Sequence, residues 1–464
     1  MNIVGRKEEM KELQRIYDSG SSEFVVVYGR RRVGKTYLIR EFFHDDFVFY
    51  ATGVARGNRT EQLAQFNSSL ARYGDSEDQT APENWFLAFG RLEKLVAKSR
   101  KQRKVIFLDE LPWMDTPKSD FVKALEMFWN VWASARNDIV LIVCGSAASW
   151  MVGNVIRNRG GLHNRLTCKL KLNPFTLSET KEYLLSQKIK WDNLSIAECY
   201  MILGGIPYYL HLLDKSRSLA QNIDRLFFSE SALLEDEFDN LYNSLFAKSE
   251  EYVRIVEALA KKKSGFSRDE IVARSGLSNG GGLTRKLDAL EQCGFIRKYK
   301  AFGEVSYTFQ LIDFFTLFYF QFVKGGNTVD SDTWQHLVAT NSYKTWRGLA
   351  FEKLCFAHLP KIKSVLGISG VLTNTCSYYS SQAQVDMIIE RADRAVTVCE
   401  MKCNDEPYAL TKAEYEKIAN RLSVLREYYK RKNIFFAMIT SFGLVRNSYA
   451  INYVQNEIIL DDLF

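Results

Sequence analysis

Proline is scarce in this 464-residue chain. Its 7 prolines leave little room for stiff linkers. Cysteine pairs at metal-binding spacing are missing. The 8 cysteines contain no C-x-x-C, and the nearest two, Cys399 and Cys403, have no second pair close by. Zinc is therefore not expected, and reduced thiols are. Long apolar runs are missing too. The most apolar stretch, FFTLFYFQFV at Phe314–Val323, is too short to cross a bilayer and reads as core. The opening MNIVGRKEEMKEL is charged and has no apolar h-region, so no signal peptide is expected and the expected compartment is the cytoplasm. No internal repeat or low-complexity tract appears. A large charge excess is also lacking: a net +7 permits contact with nucleic acid without demanding it. What is present is a 46% hydrophobic fraction, which excludes a disordered chain, and length enough for two or three domains.

The most informative stretch is Phe24–Thr36, FVVVYGRRRVGKT. An apolar β-rich run leads into a full G-x-x-x-x-G-K-T, and YLIREFF then reads as helix. Gly29 and Gly34 let backbone N–H groups close around phosphate oxygens. Lys35 reaches the β/γ-phosphates, the Thr36 hydroxyl suits Mg²⁺, and the phosphate sits at a helix N-terminus. The spacing places Arg32 and Val33 in the same cradle. An amphipathic helix precedes the loop; it either brings Gly5-Arg6 near a nucleotide base or simply caps the domain.

Val105–Asp115, VIFLDELPWMD, is an apolar strand that ends on an acidic pair about 70 residues later. Asp109 suits the Mg²⁺ shell and Glu110 suits orienting an attacking water. Asp138–Met151 delivers Ser146 to the same sheet edge, where open α/β sheets bind ligands. Ser146 is thus a candidate γ-phosphate sensor, with a helix N-cap as the plain alternative. Arg165, just before LTCKLKL, is a candidate for stabilising transferred charge; Arg157 and Arg159 are its rivals.

GRRRVGKT, LDELPWMD, the GSxxxxM stretch, an Arg followed by LNPFTLSE, and LGGIPYYL at Leu203–Leu210 together resemble the archaeal-type AAA+/STAND ATPase family. The resemblance covers roughly Asn2 to Leu213. It implies an ATP-dependent P-loop module, with Gly205 and Pro207 in its lid region.

Ser178–Leu213 reads as lid helices, and the acidic, aromatic Leu226–Phe246 as a linker. Glu250–Tyr307 has the pattern of a winged helix. Ser267 and Glu270 form a capping box, a third helix offers Thr284, Arg285 and Lys286, and a hairpin carries Arg297, Lys298 and Lys300. These charges suit DNA phosphates, although such modules also serve as packing units.

The C-terminal part holds a second cluster. A helix over Ser342–Leu359 carries Glu352, and VLGISGVLT and SYYS read as strands. VDMII and AVTVCEMK flank the turn ERADR, whose midpoint is residue 393, so Asp386 and Glu400 are expected to face each other across a hairpin. Glu400 and Lys402 share a strand face. Two carboxylates and an amine then converge, a set suited to Mg²⁺ and to phosphate chemistry; a structural ion pair is the alternative. Asp386, Glu400-Met401-Lys402 and Glu352 resemble the PD-(D/E)xK nuclease superfamily over about the last 120 residues, including its αβββαβ core. The resemblance implies metal-dependent phosphodiester cleavage, with Glu352, Asp386 and Glu400 as metal ligands and Lys402 assisting.

The expected architecture is α/β: a P-loop ATPase core (1–175), a helical lid and linker (176–247), a winged helix (248–325) and a restriction-endonuclease-like α/β domain (326–464). The expected cofactors are ATP and Mg²⁺. Double-stranded DNA is the expected partner, a homo-oligomer is possible in this scheme, and no membrane is involved. The expected activity is ATP-controlled DNA processing or defence; the alternative is a regulatory or signalling ATP switch that uses the nuclease-like fold for binding only.

Overall fold

A computed structural model describes residues 3–74, 80–158, 160–300, 306–325, 332–379 and 384–464. Arg159, residues 301–305 of the expected hairpin, Ser380 and the expected 325/326 boundary fall wholly or partly outside them. The chain forms two compact units, Met1–Pro174 and Phe175–Phe464.

The first unit is built on β1 (Glu23–Tyr28), β2 (Phe49–Thr52), β3 (Lys104–Asp109), β4 (Ile139–Gly145) and β5 (Cys168–Lys171). All pair in parallel, in the order β2-β3-β4-β1-β5. Near-continuous Val, Ile and Leu runs suit a sheet covered on both faces, and every residue of β3 and β4 is buried. Register matters for function. Tyr28 pairs with Gly145 and Thr52 with Asp109, so the loops after β1, β3 and β4 leave from one edge. Between β3 and β4 a helix runs over Phe121–Met127, widens into a π-turn at Phe128–Trp132 and closes with a 3-10 turn.

The second unit begins with the helices Leu177–Ser186, Asn193–Leu203 and Pro207–His211. The Leu226–Phe246 stretch is not a linker. Leu226, Phe238, Leu241 and Tyr242 are at most 2% exposed, and Phe238 stacks on Tyr319 at 4.1 Å. Its aromatic content is core content. The apolar Phe314–Val323 run forms a helix continued by a π-turn, with Phe315 and Phe318 fully buried.

Next come the helices Ser249–Ala260, Arg268–Ser275 and Gly281–Gln292, with a small antiparallel sheet. Its strands are β6 (Phe266–Ser267), β7 (Ile296–Lys300) and β8 (Tyr307–Leu311), in the order β6-β8-β7. Ser267 and Glu270 form the expected capping box.

The C-terminal sheet has the order β13-β12-β11-β10-β9. The Asn341–Ala357 helix precedes β9 (Thr373–Tyr379), β10 (Gln384–Arg391) and β11 (Ala395–Lys402), which pair antiparallel. The Lys412–Tyr428 helix then crosses over to β12 (Asn433–Thr440), parallel to β11, and β13 (Asn456–Ile459) extends the sheet. VLGISGVLT is not a strand. Val365 ends a second helix opened by Pro360, Gly367 turns the chain at φ 69°, and only Thr373 enters β9. Gly and Pro outweighed the apolar pattern there.

Candidate nucleotide site and C-terminal carboxylate cluster

The loop after β1 turns at three residues with positive φ: Gly29 (150°), Arg32 (70°) and Gly34 (88°). A side chain at Gly29 would place its Cβ 2.2 Å from Leu172 O, so the loop and the segment after β5 approach too closely for anything larger. The Lys35–Phe42 helix starts directly after Gly34.

Buried Lys35 spends its three protons inside the site. Nζ donates to Gly29 O (3.2 Å), Arg30 O (2.9 Å) and Ser146 Oγ (3.2 Å). Ser146 Oγ in turn donates to Glu110 Oε1 at 2.6 Å. The hydroxyl therefore does not cap a helix; the short helix that follows has Ala147 at its cap position. Glu110 has left-handed backbone (φ 47°), a strained conformation of the kind met at functional turns. Thr36 Oγ1 donates to Asp109 Oδ2 at 2.8 Å, and Asp109 Oδ1 accepts from Glu110 N at 2.9 Å. A hydroxyl and a carboxylate oxygen meeting beside Lys35 form a donor pair that fits a hard cation.

Three more residues refine the loop. Buried Arg6 donates from Nη2 to Val33 O at 3.0 Å, so the N-terminal helix delivers its arginine to the loop backbone. Arg30 is buried and Arg31 and Arg32 are half-buried, so the triple arginine does not project into solvent as a set. Val33 is buried under the loop. Arg165 and Arg157 are exposed and lie outside the Lys35–Ser146–Glu110 network.

In the C-terminal sheet the β10–β11 register ends with Met387 on Cys399, and Asp386 and Glu400 follow directly beyond that pair. Both are buried, 6% and 7% exposed. Asp386 Oδ2 accepts from Met401 N at 3.0 Å. Glu400 is held from two sides, by Lys402 Nζ on Oε1 (2.8 Å) and Arg421 Nη1 on Oε2 (2.7 Å). Glu352 is held by Lys263 at 2.5 Å. Burial raises the Asp386 carboxyl above its ordinary range, and the charge of Glu400 raises it further. Burial, then Asp386, push Glu352 up to about 7, against the pull of Lys263. Burial works to lower the Lys402 amine, but the charge and hydrogen bond of Glu400 outweigh it and hold Lys402 above its ordinary value.

Register and strand face thus bring Asp386, Glu400 and Lys402 together, and Glu352 joins them from the preceding helix. Sequence reasoning missed Arg421 and Lys263. Arg421 lies near the middle of a helix among other charges, and Lys263 ends a run of three lysines; neither carries a local signal. The residues do not fit a metal as they stand: among the described residues no group of three or more His, Cys, Asp or Glu side chains is placed to hold one. Their oxygens face protein cations and a backbone N–H instead.

The expected DNA-facing charges are partly engaged. Lys286 pairs with Glu251 at 2.7 Å. Arg297 donates to Gln310 Oε1 at 2.6 Å and covers the Phe356 ring at 4.1 Å. Arg285, Lys298 and Lys300 remain exposed.

Residues 3–213 match the family model described as an ATPase domain predominantly from Archaea. This part of the chain is an ATP-binding P-loop ATPase domain. The chain is similar to an uncharacterized protein of Methanocaldococcus jannaschii, 24% identical over 410 residues, spanning 87% of this chain and 88% of that protein. A shorter match is to an uncharacterized ATP-binding protein of the same archaeon, 45% identical over 43 residues, 9% of this chain and 73% of that protein. In fold the chain is similar to the Walker-type ATPase of Pyrococcus abyssi, at 18% identity and a TM-score of 0.50, covering 69% of this chain and 96% of that one. Among the described residues no helix is long and apolar enough to cross a membrane.

Proposed function

We propose that this protein is an ATP-controlled DNA-processing ATPase, in which the P-loop unit binds Mg-ATP and its nucleotide state governs a nuclease-like C-terminal domain. The observation that carries the ATPase part is the chain Lys35–Ser146–Glu110 beside Thr36–Asp109. Lys35 binds the terminal phosphates, Ser146 senses the γ-phosphate, and Glu110 orients a water. Mg²⁺, brought with ATP, would be held by Thr36 and Asp109 and would supply charge neutralisation at the phosphates. Exposed Arg165, with Arg157 as rival, suits a role in a neighbouring copy of a homo-oligomer.

Coupling to the C-terminus has a physical route within the second unit. His358, at the end of the Asn341–Ala357 helix, accepts Leu177 N–H on Nε2 at 3.0 Å. Arg347 donates to Glu198 Oε1 at 3.1 Å, and Asn193 donates to Asp461 Oδ1 at 2.6 Å. The helices read as a nucleotide lid therefore hold the C-terminal domain directly. The order helix–β9–β10–β11–helix–β12 supports the PD-(D/E)xK-like reading, and the three-helix module with its hairpin supports a winged helix. Double-stranded DNA is the proposed substrate.

A second reading is an ATP switch whose nuclease-like fold only binds. The ion pairs on Glu352 and Glu400 favour it, because they leave the carboxylates neutralised. Divalent-dependent cleavage of plasmid DNA, by wild type and by Asp386→Ala, separates the two. Cleavage lost in the variant, with ATP binding intact, supports the first; no cleavage by either under any nucleotide condition supports the second.

A further inference from the structure

The C-terminal carboxylates carry their own cations, and one of these comes from outside the domain. Lys263 sits in the turn between the Ser249–Ala260 helix and β6, 89 residues before Glu352. Its Nζ lies 2.5 Å from Oε1 and 2.5 Å from Oε2 of Glu352, straddling both oxygens. The side chains are 22% and 13% exposed, so the pair is largely out of water. A carboxylate in that setting needs a counter-cation close by.

The turn is not free to drift. Gln310 Nε2 donates to Lys263 O at 2.5 Å and Tyr299 OH donates to Ser264 O at 2.6 Å. The same module grips the Glu352 helix on either side. Lys353 Nζ donates to Leu311 O at 3.0 Å, and the Arg297 guanidinium lies 4.1 Å over the Phe356 ring. Three fastenings thus press one edge of the three-helix module onto the helix that carries Glu352.

This contact has a consequence for cations. Glu352 is paired with Lys263, and Glu400 with Lys402 and Arg421, so these carboxylates already hold protein cations. A divalent cation approaching Glu352 would meet Lys263 at contact distance. With Lys263 removed, both oxygens of Glu352 lose their paired amine beside Asp386. Hard divalent cations seek such oxygens.

We propose that Lys263 is a built-in plug: the amine of the middle module occupies the cation position beside Glu352 and Asp386 and keeps the C-terminal cluster closed to divalent cations until that turn withdraws. The plug rests on the nuclease-like reading of the domain and adds its regulation. It places the control in the three-helix module.

Mn²⁺ binding tests the plug. Full-length wild type, Lys263→Met, Lys263→Arg and Lys263→Met/Asp386→Asn are titrated with Mn²⁺ without nucleotide, and bound ion is followed by electron paramagnetic resonance. Lys263→Met is expected to bind one Mn²⁺ at least about tenfold more tightly than wild type. Lys263→Arg, which keeps the charge, is expected to match wild type, and the double variant to lose the added site. Equal Mn²⁺ affinity in wild type and Lys263→Met overturns the plug. Should Lys263→Met not fold, Gln310→Ala loosens the turn while leaving the ion pair's own atoms in place; it is expected to raise Mn²⁺ affinity, and no rise overturns the plug. DNA cleavage measured alongside distinguishes this from failure of the nuclease reading. A Lys263→Met protein that gains Mn²⁺ but cuts no DNA keeps the plug and removes the nuclease. A wild type that cuts DNA and binds Mn²⁺ as well as Lys263→Met keeps the nuclease and removes the plug.

Discussion

The hydroxyl of Thr36 donates to Oδ2 of Asp109 at 2.8 Å, joining the first residues of one helix to the tip of a strand 73 residues later. That bond fixes the P-loop against β3. It puts the two oxygens proposed for Mg²⁺ at one point, with Lys35 next in sequence and Glu110 adjacent on the other side.

Binding and hydrolysis separate at this site. Lys35→Ala removes the charged donor proposed to reach the phosphates, and such bonds contribute roughly 1.5–3 kcal/mol, so ATP affinity is expected to fall about 10- to 100-fold. Glu110→Gln keeps the shape and removes the carboxylate proposed to orient the attacking water. It is expected to bind ATP within about threefold of wild type while turnover falls about 100-fold or more. Equilibrium binding of a fluorescent ATP analogue and steady-state phosphate release check both.

Gly29→Ala is expected to damage the loop rather than the chemistry alone. Its Cβ would sit 2.2 Å from Leu172 O, and the backbone is at φ 150°. Overpacking of this kind costs about 1–3 kcal/mol. A lower melting temperature for the first unit, together with lost ATP binding, is the expected outcome in calorimetry. An unchanged melting temperature contradicts the close approach.

The link between the proposed lid and the C-terminal domain depends on pH. Burial lowers the His358 imidazole below its ordinary 6.5, aided by Lys361 and opposed by the Leu354 carbonyl. His358 Nδ1 faces Leu354 O at 3.0 Å, and Nε2 accepts Leu177 N–H. A lowered folded pKa means the unfolded chain takes the proton first as acid is added. The stability is therefore present above pH 6.5 and is lost as pH falls below it through the folded value. Melting temperatures from pH 8 to pH 5 are expected to drop most steeply below 6.5. In His358→Gln that extra drop is expected to disappear, at a cost of about 1–3 kcal/mol at pH 8 for the displaced buried hydrogen bonds.

Arg421→Ala is expected to destabilise the C-terminal sheet by about 1–3 kcal/mol, since Glu400 is 7% exposed and loses one of its two cationic partners among the described residues. Denaturant unfolding checks this. A neutral result would mean that Arg421 holds Glu400 too loosely to matter.

Local patterns were legible in the sequence, and contacts between distant segments were not. The P-loop, the LDE strand tip and the Ser146 strand are contiguous motifs on a parallel sheet, and the sheet edge collects them. The nearness of Asp386 to Glu400 follows from the position of one turn. Lys263 on Glu352 spans 89 residues and Arg421 on Glu400 spans 21, and each is set by packing rather than by periodicity. Leu226–Phe246 looked like a linker because acidic residues interrupt its aromatics, yet Phe238 and Tyr242 face the core. Strand β13 carries no strand signal of its own, because NEII is short and half polar.

The most direct test of the central claim is DNA cleavage in Mg²⁺ by the same full-length preparation, held without nucleotide, with ADP and with a slowly hydrolysed ATP analogue. The account predicts cleavage in the ATP-like state well above the other two, with Lys35→Ala held at the nucleotide-free level. Equal cleavage in all three states contradicts control by the P-loop.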